Sequence, residues 1–278
     1  MTAAQLVKKA QRLVSMPAIA MRIYDMVDDP HHSAQDIGKV ISRDPALTAR
    51  LLRIANSPFY GLPSEIETVS RAITILGTKQ IRDLILATSV IKTFTGITNK
   101  LVTMENFWYH SMACGIAARH LAMKTRPERA ESIFIAGLLH DIGQLILFNC
   151  MPEETGQALM LVEEGAELQD AERRIIGFDH ARVGGELIAS WNLPDSLREC
   201  VEYHHDIDAA GECRYEVAMV HVASVIAIMD DLSTVDRPTA PVVDRRAWEM
   251  IGLDESVFEP TLATVREQTE QTYRLFAT

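Results

Sequence analysis

Between Ile133 and Phe148 the sequence is apolar in every direction except at His140, Asp141 and Gln144. A helix that is apolar all round is buried, so these three polar side chains sit where the dielectric is low and partners are obligatory. On a helical wheel with His140 at zero, Gln144 falls at about 40°, Gly137 at about 60° and Asp141 at about 100°. The pattern is one polar seam with a glycine beside it. Two readings fit: a hydrogen-bonded His–Asp pair that fixes helix packing, or a metal site, because neutral imidazole and carboxylate suit Zn, Fe or Mn.

Four more histidines bear on that choice. His110 shares a helix face with Ala113, Cys114 and Ala117, whose small side chains let another helix come close. His180 follows Asp179, a helix cap, and opens a segment containing Gly184-Gly185. His204 and His205 close a helix in which Leu197 and Val201 mark the apolar side, and both rings lean towards it. One histidine on an apolar face is most often a satisfied core residue. Five of them on four helices, one beside an aspartate, favour a shared site. His31, His32 and His120 read as ordinary loop or surface residues.

The elements that must position these residues are helices. Ser33-Ala-Gln-Asp36 has the form of a capping box, and Asp44-Pro45 is a cap followed by proline at the first helical position. Asn56-Ser57-Pro58 stops the helix begun there, with Asn56 and Ser57 satisfying its end, and a helix from Ser70 to about Leu76 ends at Gly77. Further helices are expected at about 105–123, 131–149, 153–166, 167–176, 180–191, 196–205 and 214–230. The polar stretch from Thr93 to Thr103 and the proline-containing stretch from Ser233 to Asp244 read as a boundary and a linker. The expectation is an all-α chain in three parts: an amino-terminal helical lobe over 1–95, a helical core over 96–232, and a linker with a helical tail over 233–278.

The chain has 278 residues, 47% of them apolar and 23% charged, with a formal net charge of −11. That composition belongs to folded globular proteins. The first hundred residues carry a net +5 and the remainder −16, so nucleic-acid binding by the whole chain is disfavoured by its own charge. No apolar run approaching a bilayer span and no apolar block behind Lys8, Lys9 and Arg12 is read, which argues against a membrane or a secretory route. Four cysteines without a Cys-x-x-Cys spacing suit a reducing compartment, and a cytoplasmic setting is expected. Arg43, Arg50 and Arg53 lie within about 80° of each other if one helical register runs through them, and form a candidate partner-binding face.

Taken together, "DPALTARLLRIANSPFYG" (Asp44 to Gly61), "AITILGTKQIRDLIL" (Ala72 to Leu86), "FWYHS" (Phe107 to Ser111), "AGLLHDIGQLIL" (Ala136 to Leu147) and "FDHARVGGELIASWNLP" (Phe178 to Pro194) resemble the HDOD family, the HD-related output domain of bacterial signalling proteins. The resemblance runs from about Met16 to Asp231. It implies the helical bundle of the HD superfamily of metal-dependent phosphohydrolases, with an amino-terminal helical lobe. It also implies metal ligands at His110, His140, Asp141, His180, His204 and His205, and catalytic positions at His140, Asp141 and Gln144. Two departures count against turnover. Ser224 stands where similar proteins carry a late aspartate, leaving His221 or Asp231 to compensate. Gln144 stands where related cyclic di-GMP phosphodiesterases have a phosphate-binding lysine, and their Gly-Tyr-Pro motif is missing after His205. The resemblance therefore implies a regulatory module with signalling proteins as partners, non-catalytic or weakly catalytic. The alternative is a metal-dependent phosphohydrolase acting on a nucleotide or cyclic dinucleotide.

Overall fold

The structure, a computed structural model, describes residues 1–11, 14–94, 101–232 and 242–277, and no strand occurs among them. The first helices are α1 (Ala3–Ala10), α2 (Ala18–Asp28), α3 (Ala34–Ile41), α4 (Pro45–Ala55), α5 (Val69–Leu76) and α6 (Thr78–Phe94). They are followed by α7 (Met104–Thr125), α8 (Ala130–Leu139), α9 (Ile142–Cys150), α10 (Pro152–Glu163) and α11 (Leu168–Ile176). The remainder are α12 (His180–Ser190), α13 (Asp195–Tyr203), α14 (Arg214–Leu232), α15 (Arg245–Ile251) and α16 (Phe258–Ala277). The fold is all-α.

Two compact units form, one of residues 14–96 with 270–278, the other of 1–13 with 97–269. This division differs from the three-part expectation at both ends of the chain. Helix α1 packs on α12 and α9, because Leu6, Val7 and Ala10 form a buried stripe on that face. Helix α15 packs on α14 through Ala247, Trp248 and Ile251 instead of trailing as a tail. The expected linker from Ser233 to Asp244 and the boundary from Thr93 to Thr103 lie largely outside the described residues.

In the smaller unit, local chemistry sets the helix ends. Ser33 and Asp36 close a reciprocal capping box, and the Asp44 carboxylate accepts the Leu47 N–H at 3.0 Å ahead of Pro45. Asp44 has extended backbone angles, so Arg43 lies in the turn before α4 and the single register through Arg43, Arg50 and Arg53 does not form. Asn56 does more than end α4. Its side-chain NH2 donates to the Ile66 carbonyl at 2.8 Å and its oxygen accepts the Ile66 N–H at 2.7 Å, closing the loop between them.

In the larger unit, α7 packs against α8 and α14, and α12 packs against α9 and α13. The run Pro127–Cys150 contains a window with the length and hydropathy to cross a membrane, contrary to the sequence reading, but 83% of that window is buried inside the protein. Glycines bring two pairs of backbones together. A Cβ on Gly143 would overlap the His180 carbonyl oxygen and stand 2.6 Å from the Gly184 nitrogen, so α9 and α12 meet main chain to main chain. At the α7–α8 crossing, a Cβ on Gly137 would stand 3.0 Å from both the Cys114 carbonyl oxygen and the Gly115 Cα.

These contacts predict opposite outcomes for two glycine-to-alanine changes. Gly143→Ala should destabilise the protein by about 2–4 kcal/mol, since backbone must move to admit the methyl group. Gly156→Ala on α10, where a Cβ would meet only a Leu101 methyl at 3.8 Å, should be neutral or stabilise by up to about 1 kcal/mol. Urea unfolding of the two variants beside the parent protein measures the difference.

Candidate metal centre

Asp141 stands where α8 gives way to α9. His140 keeps helical angles, but Asp141 has φ −98° and ψ 8° and occupies the cap position of α9. The single helix expected over 131–149 is therefore two, and wheel angles reckoned across the break, Gln144's included, do not hold. Asp141 makes no side-chain capping bond there. Its oxygens are left for the histidines.

Four rings converge on that carboxylate, from α7, the end of α8, the start of α12 and the end of α13. The Nε2 atoms of His180 and His204 lie 3.2 Å and 3.6 Å from Asp141 Oδ1, while those of His110 and His140 lie 3.5 Å and 3.4 Å from Oδ2. His205 joins through His180, with their Nε2 atoms 2.9 Å apart. The six residues fall into two groups that share Asp141. One is Asp141, His180, His204 and His205, the other His110, His140 and Asp141, and within each the donor atoms lie within 4.8 Å of one another. All six predicted ligand positions are thus brought together.

The inward direction of the rings is set from behind. His140 Nδ1 donates to the Gly137 carbonyl at 2.8 Å, and His204 Nδ1 donates to the Val201 carbonyl at 2.8 Å. A carbonyl only accepts, so in both rings the proton sits on Nδ1 and the lone pair on Nε2. Both residues are 0% exposed, and neither Nε2 has a hydrogen-bond partner among the described residues. A buried acceptor without a donor costs about 1–3 kcal/mol, and a cation among these atoms would remove that cost. The donor set fits a divalent transition metal.

Behind His180 stands a residue the sequence reading missed. Glu172 on α11 is 1% exposed, and its Oε2 accepts both the His180 N–H at 2.8 Å and the His180 Nδ1 proton at 2.6 Å. Leu168, Ala171 and Ile175 define the apolar stripe of α11, and Glu172 lies on it. A carboxylate on an apolar stripe was the available signal. On α13, Glu202 takes Arg198 at 2.6 Å and also pairs with Arg182 of α12, which fixes the helix that ends in His204 and His205.

Burial and charge sort the protonation states. Burial drives His140 down to about 3 despite the nearby Asp141 carboxylate, and it holds His205 well below the usual histidine range, aided by His204 and His180. Burial alone would lower His180 too, but Glu172 and Asp141 outweigh it and raise the ring well above its ordinary value. Burial opposes ionisation of Asp141, and His140 and His180 overcome it, keeping the carboxylate charged. Burial pushes the Cys114 thiol on α7 well up, with Asp141 adding to the effect, so it stays protonated. For the close Nε2 pair of His180 and His205 to attract, one of them must carry a proton, and a metal ion would compete for that place.

The remaining predicted residues are placed as follows. Gln144 is half-buried in the first turn of α9, and its side-chain amide makes no hydrogen bond among the described residues. Ser224 is buried on α14. His221 cannot replace the late aspartate: its Nδ1 donates to the His204 carbonyl at 2.9 Å and its Nε2 accepts the Asp244 N–H at 3.2 Å, so both nitrogens are spent on backbone. The side chain of Asp231 lies outside the described residues. Arg53 is exposed on α4, Arg50 is half-buried, and Arg43 is exposed in the preceding turn.

Comparison with known proteins fits this geometry. The HDOD domain profile matches residues 13–207. A protein of Treponema pallidum (strain Nichols) is 25% identical over 218 residues, which are 76% of this chain and 41% of that protein, so the chain spans less than half of the relative's length. The crystal structure of an HDOD domain protein from Geobacter sulfurreducens superposes with a TM-score of 0.76 at 25% identity, covering 98% of this chain and 96% of the other. A candidate phosphohydrolase from Shewanella amazonensis SB2B shares the fold with a TM-score of 0.77 at 24% identity and 98% coverage of both chains.

The protonation states predict acid sensitivity. The stability that His140 contributes as a neutral ring is complete above the unfolded histidine value of about 6.5 and is lost as pH falls towards about 3. His205 acts in the same sense. His180, shifted upward, contributes below about 6.5 and loses its share only as pH rises through its raised value. The urea midpoint of metal-free protein should therefore fall between pH 7 and pH 4, and a His140→Asn variant should show a flatter profile.

Proposed function

Because the chain belongs to the HDOD family, we propose that it is a bacterial signal-transduction module whose buried His–Asp cluster holds a divalent transition metal and which acts through protein contacts without efficient turnover. The observation that carries this reading is the fully buried, partnerless Nε2 of His204, its Nδ1 proton committed to a backbone carbonyl, gathered with donor atoms of Asp141, His180 and His205. Zn, Fe or Mn matches a set of imidazoles and one carboxylate. Such an ion, when bound, supplies Lewis acidity and a cross-link between the ends of helices. The chain's own contribution is to present His110 from α7, His140 and Asp141 from the α8–α9 break, His180 from α12, and His204 and His205 from the end of α13.

Phosphoester hydrolysis would ask for more than this. Phosphate carries charge that hydrolases neutralise with metal ions and cationic side chains. Gln144 brings no charge, and Ser224 brings no carboxylate to extend the donor set. The convergence of all six donors is the observation that favours the second reading, a metal-dependent phosphohydrolase acting on a nucleotide or cyclic dinucleotide. For the first reading, signalling proteins in a cytoplasmic setting are the expected partners, with Arg43, Arg50 and Arg53 as the contact residues to test by charge reversal.

Protein purified in metal-free buffers and supplied with Zn, Fe or Mn should bind about one equivalent and gain about 5–10 °C in Tm at saturating metal. Asp141→Ala should lose both. Binding below about a tenth of an equivalent would remove the basis of the proposal. A hydrolysis panel of cyclic dinucleotides, nucleotides and an artificial phosphodiester, run with Mn and Fe, should be silent. Turnover that disappears in the His140→Ala/Asp141→Ala double variant would establish the second reading instead.

A further inference from the structure

The two groups of donors around Asp141 are unequal. Oδ1 faces His180 and His204, with His205 beside His180, which gives four donors with the shared carboxylate. Oδ2 faces His110 and His140, which gives three. Among the described residues, α14, which packs against α7 and α8, adds no fourth donor to the smaller group. Ser224 supplies none, and His221 has both nitrogens on backbone partners. Charge is unequal as well. Glu172, fully buried against His180, places a second carboxylate directly behind the four-donor group. Asp141 and Glu172 together match the charge of a divalent ion.

We infer that this chain binds a single metal ion through Asp141, His180, His204 and His205, and leaves His110 and His140 outside the coordination shell. The inference rests on the metal-holding reading above and deepens it. Four protein donors on one small divalent ion close the shell, which is the arrangement of structural sites, whereas catalytic sites keep a position for water. Glu172 is a positioning residue here. By taking the His180 Nδ1 proton it fixes the tautomer and makes Nε2 a stronger donor.

The experiment uses the full chain stripped of metal and reloaded with Zn2+ or, as a spectroscopic probe, Co2+. X-ray absorption on the unmodified Zn2+ protein should count three imidazoles about each ion, and bound Co2+ should show the intense visible band of four-coordination. Metal analysis should find about one equivalent. His110→Ala should keep that equivalent with affinity within about threefold, His205→Ala should weaken binding by about 100-fold or more, and Glu172→Gln should weaken it by about 10–100-fold. Far-ultraviolet circular dichroism checks that each variant is folded, and the absorption data on the unmodified protein stand whether or not the variants fold. Two imidazoles per ion, two equivalents per chain, or metal lost in His110→Ala and kept in His205→Ala would overturn this assignment while leaving metal binding itself intact. Absence of any bound metal in the unmodified protein would overturn it together with the reading it rests on.

Discussion

One charged carboxylate ringed by histidines is the constraint on which the larger unit turns. Asp141 is buried at the junction of two helices, and burial by itself would make its charge expensive. The charge survives because ring nitrogens face both oxygens, with His180 the most strongly held through its contact with Glu172. His140 and His204 in turn keep their inward lone pairs because backbone carbonyls take the opposite protons. Each layer depends on the one outside it, from carboxylate to ring to main chain. A cation is the partner that such a nest of lone pairs best accommodates.

Helix packing serves this arrangement by bringing main chains close. The α9–α12 contact at Gly143 and Gly184 sets the start of α12, with His180, against the start of α9, which Asp141 caps. The α7–α8 contact at Gly115 and Gly137 does the same for His110 and His140. The Glu202–Arg182 pair then ties α13 to α12, and with it the two terminal histidines, while Arg198 on α13 itself holds the Glu202 carboxylate.

Much of this was legible in the sequence. The helix starts at Ser33, Asp44 and Asp179 carry their own caps, and the greasy run around His140 announced its burial. Five histidines on apolar faces marked the site because burying imidazoles without a purpose is costly. What was not legible depends on tertiary packing. The break at Asp141 interrupts a run whose periodicity reads straight through, since a helix junction leaves the apolar pattern unchanged. Glu172 lies on the apolar stripe of α11, but what it holds, the His180 N–H and Nδ1, appears only when α12 packs against it. Asn56 reads as a helix stop, and its second task, gripping Ile66 across a loop, involves a partner ten residues away that no local pattern indicates.

The glycine crossings carry a consequence for how such a protein changes over generations. Where helices are spaced by their own main chains, the frame does not lean on the imidazoles for its shape. A donor can then be exchanged for a bland residue, and the neighbouring helices have no cause to shift. Lineages built on this frame are free to shed chemistry piecemeal while retaining its outline. The glycines themselves have no such freedom, and Gly143 has the least.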